Sequence, residues 1–414
     1  MSAGRPRALI VGAGPAGLHV AGRLAAGGAA VTVYDRMPSP ARKFLLAGRG
    51  GLNLTHSEPR SSFLARYGEA SGWLTPALDG FPPPALRAFV AGLGEATFIG
   101  SSGRVFPRSF KASPLLRAWL ARLRDQGVAF RFRRRFTAIR SDGSLAFDGP
   151  EEAEAATGDV VLLALGGASW PRMGSDGGWV PVLERTGIGV RPLAPANMGV
   201  EIDWSADFAA RFAGSPLKRI VARCGSRSAA GEAVITAEGL EGGVVYALSA
   251  TLRDEVAVHG AARLAIDLKP DLTEAALAMR IASARSKDSL SSVLKKKLGL
   301  APQAASLLRE ASAEPPRDPL ALATLIKGVP LTILGVRPLD RAISSAGGIR
   351  RDQVTADFEL RALPGTFVAG EMLDWEAPTG GYLLQATFAT AEAAAQGMAR
   401  HIGITLPPVA TERW

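Results

Sequence analysis

RALIVGAGPAGLHVAGRLAAGGAAVTVYD, residues 7–35, decides the fold. An apolar strand over 8–11 runs into Gly12, Gly14 and Gly17 at G-x-G-x-x-G spacing; a helix follows, and a second strand over 31–34 closes on Asp35. Gly12 permits the tight turn, Gly14 lets backbone approach a pyrophosphate without a Cβ in the way, and Gly17 lets the helix pack closely on the strand. Ala13, Pro15 and Ala16 complete the backbone of this turn. The unpaired amides and positive dipole end of the helix stabilise negative charge. Asp35, 18 residues after Gly17, is placed to accept ribose hydroxyls. The pattern predicts dinucleotide binding. A secretory signal is the competing reading, because Arg5 and Arg7 precede an apolar run of small residues. Three glycines and a proline within six residues break that run.

Working outward, 414 residues are too many for one ordinary core and predict two or three domains. With 47% hydrophobic and 21% charged residues the composition is globular. The single cysteine, Cys224, allows neither an intramolecular disulfide nor a C-x-x-C relay, so redox chemistry must come from a cofactor and a reducing cytoplasm is expected. No run approaches eighteen unbroken apolar residues, and no membrane span is expected. The net charge of +10 suits an anionic cofactor, an anionic substrate or nucleic acid. Compositional bias toward Ala, Gly, Pro and Arg produces the same charge without any such partner.

Past Asp35 and its neighbour Arg36, counted here with the cofactor set, the chain reads KFLLAGRGGLNLTHSEP over 43–59. Gly48, Gly50 and Gly51 suit neither helix nor strand interior, so the stretch reads as a loop that wraps a ligand with its backbone. Lys43 and Arg49 add cationic donors, while Asn53, Thr55 and His56 can bond a polar ring edge. Further on, five apolar residues over 160–164 predict a buried strand leading into Leu165, Gly166 and Gly167. A strand over 366–369 ends at Gly370 and Glu371. A long Ala-rich helix is expected after Gly380 and Gly381, where free amides can stabilise negative charge on a bound ring system.

These four motifs, in this order and across essentially the whole chain, resemble the BaiN/YhiN-like family of flavoproteins, also described as aminoacetone-oxidase-like FAD-binding enzymes. The resemblance implies an α/β fold with a Rossmann-like FAD-binding domain of the two-dinucleotide-binding-domain type. It implies that the domain is split between 1–192 and 330–414, with a β-rich insert over 193–271 and a helical insert over 272–329. It also implies that Phe136 borders the adenine with its strand backbone and that Gly370 and Glu371 contact ribityl or pyrophosphate oxygens. Gly380, Gly381, Tyr382 and Leu383 would then lie at the flavin. The chain departs from the family pattern G-G-G-R-C-N-V-T-N: Gly51 and Leu52 replace its Arg and Cys, and His56 its final Asn. Leu165 and Leu383 likewise replace a Thr and an Asn. Activities that use the missing Arg or Cys do not carry over.

Elsewhere the chain reads as scaffold. An amphipathic helix after residue 112 presents Leu115, Leu116, Trp119, Leu120 and Leu123 to a core, and residues 127–139 alternate as a strand. Helical stretches begin near Thr273, Ser289, Pro302 and Asp318; residues 344–354 read as a glycine turn followed by a strand. Lys295 to Lys297 suit the last turn of a helix before Gly299. The remaining histidines, His19, His259 and His401, show no metal-ligand spacing. The expected activity is hydride transfer between flavin N5 and a small organic substrate, reducing an activated C=C bond with NADPH or NADH as transient donor. His56 is the candidate proton donor, because its ordinary pKa lies near neutrality. Alternatives are a flavoenzyme that reduces a base in structured ribosomal RNA, suggested by the +10 charge with the basic runs at 133–135, 295–297 and 350–351, an amine oxidase, and a non-catalytic flavin-binding scaffold.

Overall fold

The computed structural model describes residues 4–285, 287–409 and 414. The chain divides into two compact units, Met1–Ala194 with Ser344–Trp414, and Pro195–Ile343.

The first unit is built on a five-stranded parallel sheet. Its strands in chain order are β1 (Arg7–Val11), β2 (Ala30–Asp35), β3 (Ala129–Phe132), β4 (Val160–Leu163) and β5 (Thr366–Val368). Their order across the sheet is β5-β4-β1-β2-β3, which makes β1 central. Ala8, Leu9, Ile10 and Val11 are accordingly all buried, as a strand covered on both faces requires. Helix α1 (Pro15–Ala26) follows β1 and α2 (Tyr382–His401) closes the unit. Small residues at 386, 389, 391, 394 and 395 let α2 be buried around most of its circumference. A smaller antiparallel sheet joins Thr55–His56, Arg104–Pro107 and Thr97–Ile99.

The expected strand over 127–139 is two strands. β3 pairs with β2, whereas Arg135–Ile139 forms an antiparallel hairpin with Leu145–Asp148. Between them Arg133 takes a left-handed φ of 59°, and its amide and that of Arg134 bond Met37 O and Asp35 O at 3.2 and 2.9 Å. Residues 344–354 reverse the expected order. The strand is Ser344–Ile349 itself, and a Cβ on Gly347 would lie 2.2 Å from Pro192 O.

The second unit is organised by a seven-stranded sheet whose neighbouring strands are all antiparallel. Thr273, Ser289 and Asp318 cap helices there, each accepting a bond from the amide three residues on. The boundaries differ from expectation in two ways. Strand and helix residues such as Ala222, Ile266, Leu277, Leu307 and Leu322 share one hydrophobic cluster, so the two expected inserts are one unit. Residues 330–343, expected in the cofactor domain, belong here because Val329–Ile333 pairs with Ala262–Asp267. Among the described residues no helix is long and apolar enough to cross a membrane.

Candidate functional site

The three glycines after β1 meet different demands. Gly12 has φ +108°, and a Cβ there would lie 2.2 Å from Ala164 O, beyond the end of β4. At Gly17 a Cβ would lie 1.9 Å from Gly12 O. Both glycines are therefore required by the fold. Gly14 differs, because a Cβ there meets nothing within 4 Å. Gly14 is the N-cap of α1, which has Pro15 in its first turn, no side-chain cap and no acid there. The amides of Ala16 and Gly17 thus begin the helix without an intrahelical acceptor, next to the open position at Gly14.

Asp35 ends β2 beside this turn. Its carboxylate accepts the amides of Ala13 and Met37, each at 2.7 Å. Burial pushes its pKa up from the ordinary value, against the lowering effect of the Met37 and Ala13 bonds and of Arg36. The acid therefore fixes the glycine turn, and each carboxylate oxygen keeps a lone pair for a further donor. Arg36 donates to Pro171 O at 2.8 Å and pairs with Asp176. With Met37, Arg133, Arg135, Asp148, Gly149 and Pro150 it lines a cavity of about 500 Å³. Phe136 is buried, 6.1 Å from the Phe147 ring, so its ring serves the core. The arginine run is not a free patch: Arg134 pairs with Glu154 at 2.8 Å and Arg135 with Asp176 at 3.5 Å.

On the other side of the turn, Lys43 Nζ donates to Ser169 Oγ at 2.6 Å and to both Glu371 oxygens at 3.1 and 2.8 Å. Glu371 also accepts the Ser345 amide at 2.9 Å. Gly167 lies against this group, since a Cβ on it would be 2.3 Å from Ser345 Oγ. At Gly166 a Cβ would be 3.4 Å from Ser175 Oγ, a buried hydroxyl with no hydrogen-bond partner. Gly370 donates its amide to Thr390 Oγ1 and accepts Trp375 Nε1, both at 3.0 Å, so its own polar groups are engaged within the protein. Ser169, Ser175, Asp176 and Ser345 were not singled out in the sequence. Ser169, Ser175 and Asp176 all lie in the segment that carries Gly166 and Gly167.

The glycine-rich loop and the start of α2 meet closely. A Cβ on Gly381, the N-cap of α2, would lie 2.5 Å from Thr55 Cα. Only glycine lets the two segments approach, and its φ of +96° adds a second reason. Like α1, α2 begins with no side-chain cap and no acid in its first turn. Nearby, Asn53 Oδ1 and Thr55 Oγ1 are buried without a partner, and a buried polar atom of this kind marks a missing ligand or water. Gly50 sits in the exposed turn before them, and the side chain of Arg49 lies outside the described residues. Gly380, at φ +139°, has the Tyr382 ring where a Cβ would stand, 2.7 Å from Tyr382 Cε2. Leu383 accepts the Thr387 hydroxyl at its carbonyl and offers no polar side chain.

His56 does not have the freedom expected of a proton donor. Its Nδ1 accepts the Glu58 amide at 3.1 Å, which leaves the proton on Nε2, 2.9 Å from Ser102 O. Both ring nitrogens are occupied by backbone, and the ring stacks on Tyr382 with centroids 5.5 Å apart. In this arrangement His56 locks the loop. Tyr382 in turn donates to Glu58 at 2.6 Å and accepts the Tyr67 hydroxyl at its carbonyl at 2.9 Å. Burial, then Glu58, pushes the Tyr382 phenol far above its ordinary pKa. Burial alone would raise Glu58 as well, but bonds from Arg66 and Tyr382 outweigh it and hold that carboxylate low.

One unit thus carries two uncapped helix starts that offer amide donors, three orphaned buried oxygens and an acid-anchored glycine turn, a set of donors and acceptors that fits a dinucleotide carrying an extended polar ring. The model of the family described as HI0933-like protein Rossmann domain matches residues 6–397. The chain is 26% identical over 397 residues to the 3-dehydro-bile acid delta(4,6)-reductase of Clostridium scindens, covering 92% of this chain and 96% of that protein. Among solved structures, the 3-ketosteroid delta1-dehydrogenase of Sterolibacterium denitrificans superposes with a TM-score of 0.52 at 13% identity, over 96% of this chain and 100% of that one. At that identity the likeness is one of fold.

Proposed function

The chain belongs to the HI0933-like Rossmann-domain family, with the fold of FAD-dependent oxidoreductases, and on that premise we propose that it reduces an activated C=C bond of an organic substrate at a bound FAD, with NADPH or NADH as the donor. When bound, FAD supplies hydride transfer at its N5. The observation that carries the reading is the convergence of the α2 start at Gly381 with the buried, unpartnered oxygens of Asn53 and Thr55. Amides at that helix start would stabilise negative charge on the pyrimidine edge of a bound flavin, while Asn53 Oδ1 and Thr55 Oγ1 would offer acceptors to its N–H.

The first unit supplies the rest of the binding. Ala16 and Gly17 amides would hold pyrophosphate oxygens, Asp35 the ribose, and the cavity of about 500 Å³ lined by Arg36 the adenosine end. Lys43 balances Glu371 so that the strand-end carboxylate does not repel the anionic cofactor. The second unit's sheet is antiparallel throughout its described pairings and offers no second Rossmann site, so the nicotinamide donor visits the flavin transiently. The relative that reduces a bile-acid ring system supports an unsaturated ketone as the substrate class. The test is to release and identify the cofactor, then titrate the holoprotein anaerobically with NADPH and NADH. Bleaching of the flavin, followed by reoxidation with an enone, is the expected result. Unchanged absorbance with both donors would overturn the proposed donor.

A further inference from the structure

Tyr382 is the first residue of α2, and both its phenol and its carbonyl are held by a cluster that the cofactor reading does not use. The phenol donates to Glu58 Oε1 at 2.6 Å, and Arg66 grips the two oxygens of Glu58 at 3.1 and 2.8 Å. The Arg66 guanidinium stands 5.7 Å from the centre of the Tyr382 ring. His56 stacks on the same ring, and Phe63 meets it edge-on with centroids 4.9 Å apart. The Tyr67 hydroxyl donates to the Tyr382 carbonyl at 2.9 Å. Tyr382 is 4% exposed and Tyr67 2%, so little water competes for these bonds. Glu58 follows the glycine-rich loop, and Arg66 and Tyr67 follow the short helix Arg60–Ala65. One short run, 58–67, therefore fixes Tyr382 at both its side chain and its backbone.

What this hold can do follows from the residue that comes next. Leu383 has no polar side chain, so the first turn of α2 offers a flavin only its backbone amides. An amide stabilises charge best when it is aimed before the charge arrives, and α2 has no side-chain cap to aim it. The bonds to Tyr382 supply that aim. A bidentate pair of opposite charges, Arg66 and Glu58, fixes the acceptor of the phenol, and the phenol and the Tyr67 bond fix the turn. Resting on the FAD site proposed above, we propose that Tyr382, Glu58, Arg66 and Tyr67 are positioning residues: they orient the first amides of α2 toward the flavin pyrimidine edge and thereby raise the reduction potential of the bound flavin. Their side chains act through the helix start and need no contact with the cofactor.

The test uses the FAD-loaded protein and reads the two-electron potential of the bound flavin, by dithionite titration against a reference dye, beside apoprotein stability in denaturant. Tyr382→Phe keeps the ring packed against His56 and Phe63 and removes only the bond to Glu58. Tyr67→Phe removes only the bond to the Tyr382 carbonyl. Each is expected to weaken the binding of reduced FAD about tenfold relative to oxidised FAD, a fall of about 30 mV in potential. Glu58→Gln should move the potential in the same direction, because an amide cannot hold Arg66 at both atoms. Glu392→Gln, on the same helix but at its contact with His19 of α1, is the comparison: it should destabilise the apoprotein and leave the potential unchanged. Potentials in Tyr382→Phe and Tyr67→Phe equal to that of the unmodified protein, whatever their stability, would overturn the proposal. A fall of the same size in Glu392→Gln would overturn it as well, because the potential would then follow stability and not the aim of the helix start. If neither NADPH nor NADH bleaches the flavin while the potentials shift as expected, the proposed donor falls and the positioning role stands.

Discussion

Lys43 Nζ lies 2.8 Å from Glu371 Oε2, which ties the start of the glycine-rich segment to the turn after β5 and cancels a carboxylate beside the expected pyrophosphate. Removing the cation leaves Glu371 negative next to an anionic ligand. Charged hydrogen bonds of this kind contribute about 1.5–3 kcal/mol, so Lys43→Ala should weaken FAD binding by tenfold or slightly more. Adding Glu371→Gln to that variant should restore most of the loss, because the unbalanced charge is then gone. Fluorescence titration of the apoprotein with FAD checks both. Equal weakening in the single and double variants would show that Lys43 contacts the cofactor itself.

Gly14 and Gly17, three residues apart, should fail in different ways. A Cβ at 17 would be 1.9 Å from Gly12 O, whereas one at 14 meets nothing within 4 Å. Gly17→Ala is therefore expected to destabilise the apoprotein by about 3 kcal/mol, read from denaturant unfolding. Gly14→Ala should cost the apoprotein about 1 kcal/mol or less and lower FAD affinity at least tenfold, because the methyl group would enter the space proposed for the pyrophosphate.

His56 is bonded by backbone at both ring nitrogens, so its loss should be structural. His56→Ala is expected to lower the melting temperature and loosen flavin retention while every limb of the kcat–pH profile measured for the unmodified enzyme stays in place. Disappearance of one limb, with flavin content restored by excess FAD, would return His56 to the role of proton donor.

What the sequence revealed and what it hid divide along the range of the interactions. The requirements for Gly12, Gly17 and Gly381 come from atoms within about 3 Å of a missing Cβ, and such demands leave glycine at fixed spacings, so the cofactor half could be read directly. Thr273, Ser289 and Asp318 announce helix starts by equally local capping chemistry. The return of 330–343 to the second unit was hidden, because Val329–Ile333 takes its place by pairing with a strand more than sixty residues earlier, and nothing in its composition records the partner. The break at Arg133 was hidden by the Phe and Arg alternation around it, which continues across two different sheets. One half of the engagement of His56 was hidden because Ser102 O approaches from a distant turn.

The buried contact between α1 and α2 should give the protein a pH limit on its acid side. His19 Nε2 and Arg23 Nε lie 2.8 and 2.9 Å from Glu392 Oε2, and Gln396 donates to Oε1 at 2.9 Å. Burial alone would raise the Glu392 pKa, but the His19 bond and charge, followed by Arg23 and Gln396, outweigh it and lower the pKa from 4.5 to about 2. A carboxylate whose pKa is depressed on folding stabilises the native state above its unfolded value, and that contribution is lost as pH falls from about 4.5 toward about 2. The shift corresponds to about 3 kcal/mol at neutral pH. Glu392→Gln should therefore lower the unfolding free energy at pH 7 by an amount of that order, and the difference from the unmodified protein should shrink steadily below pH 4.5. Urea unfolding at a series of pH values measures it. A difference between the two proteins that stays constant from pH 7 to pH 3 would show that Glu392 acts through packing and not through its charge.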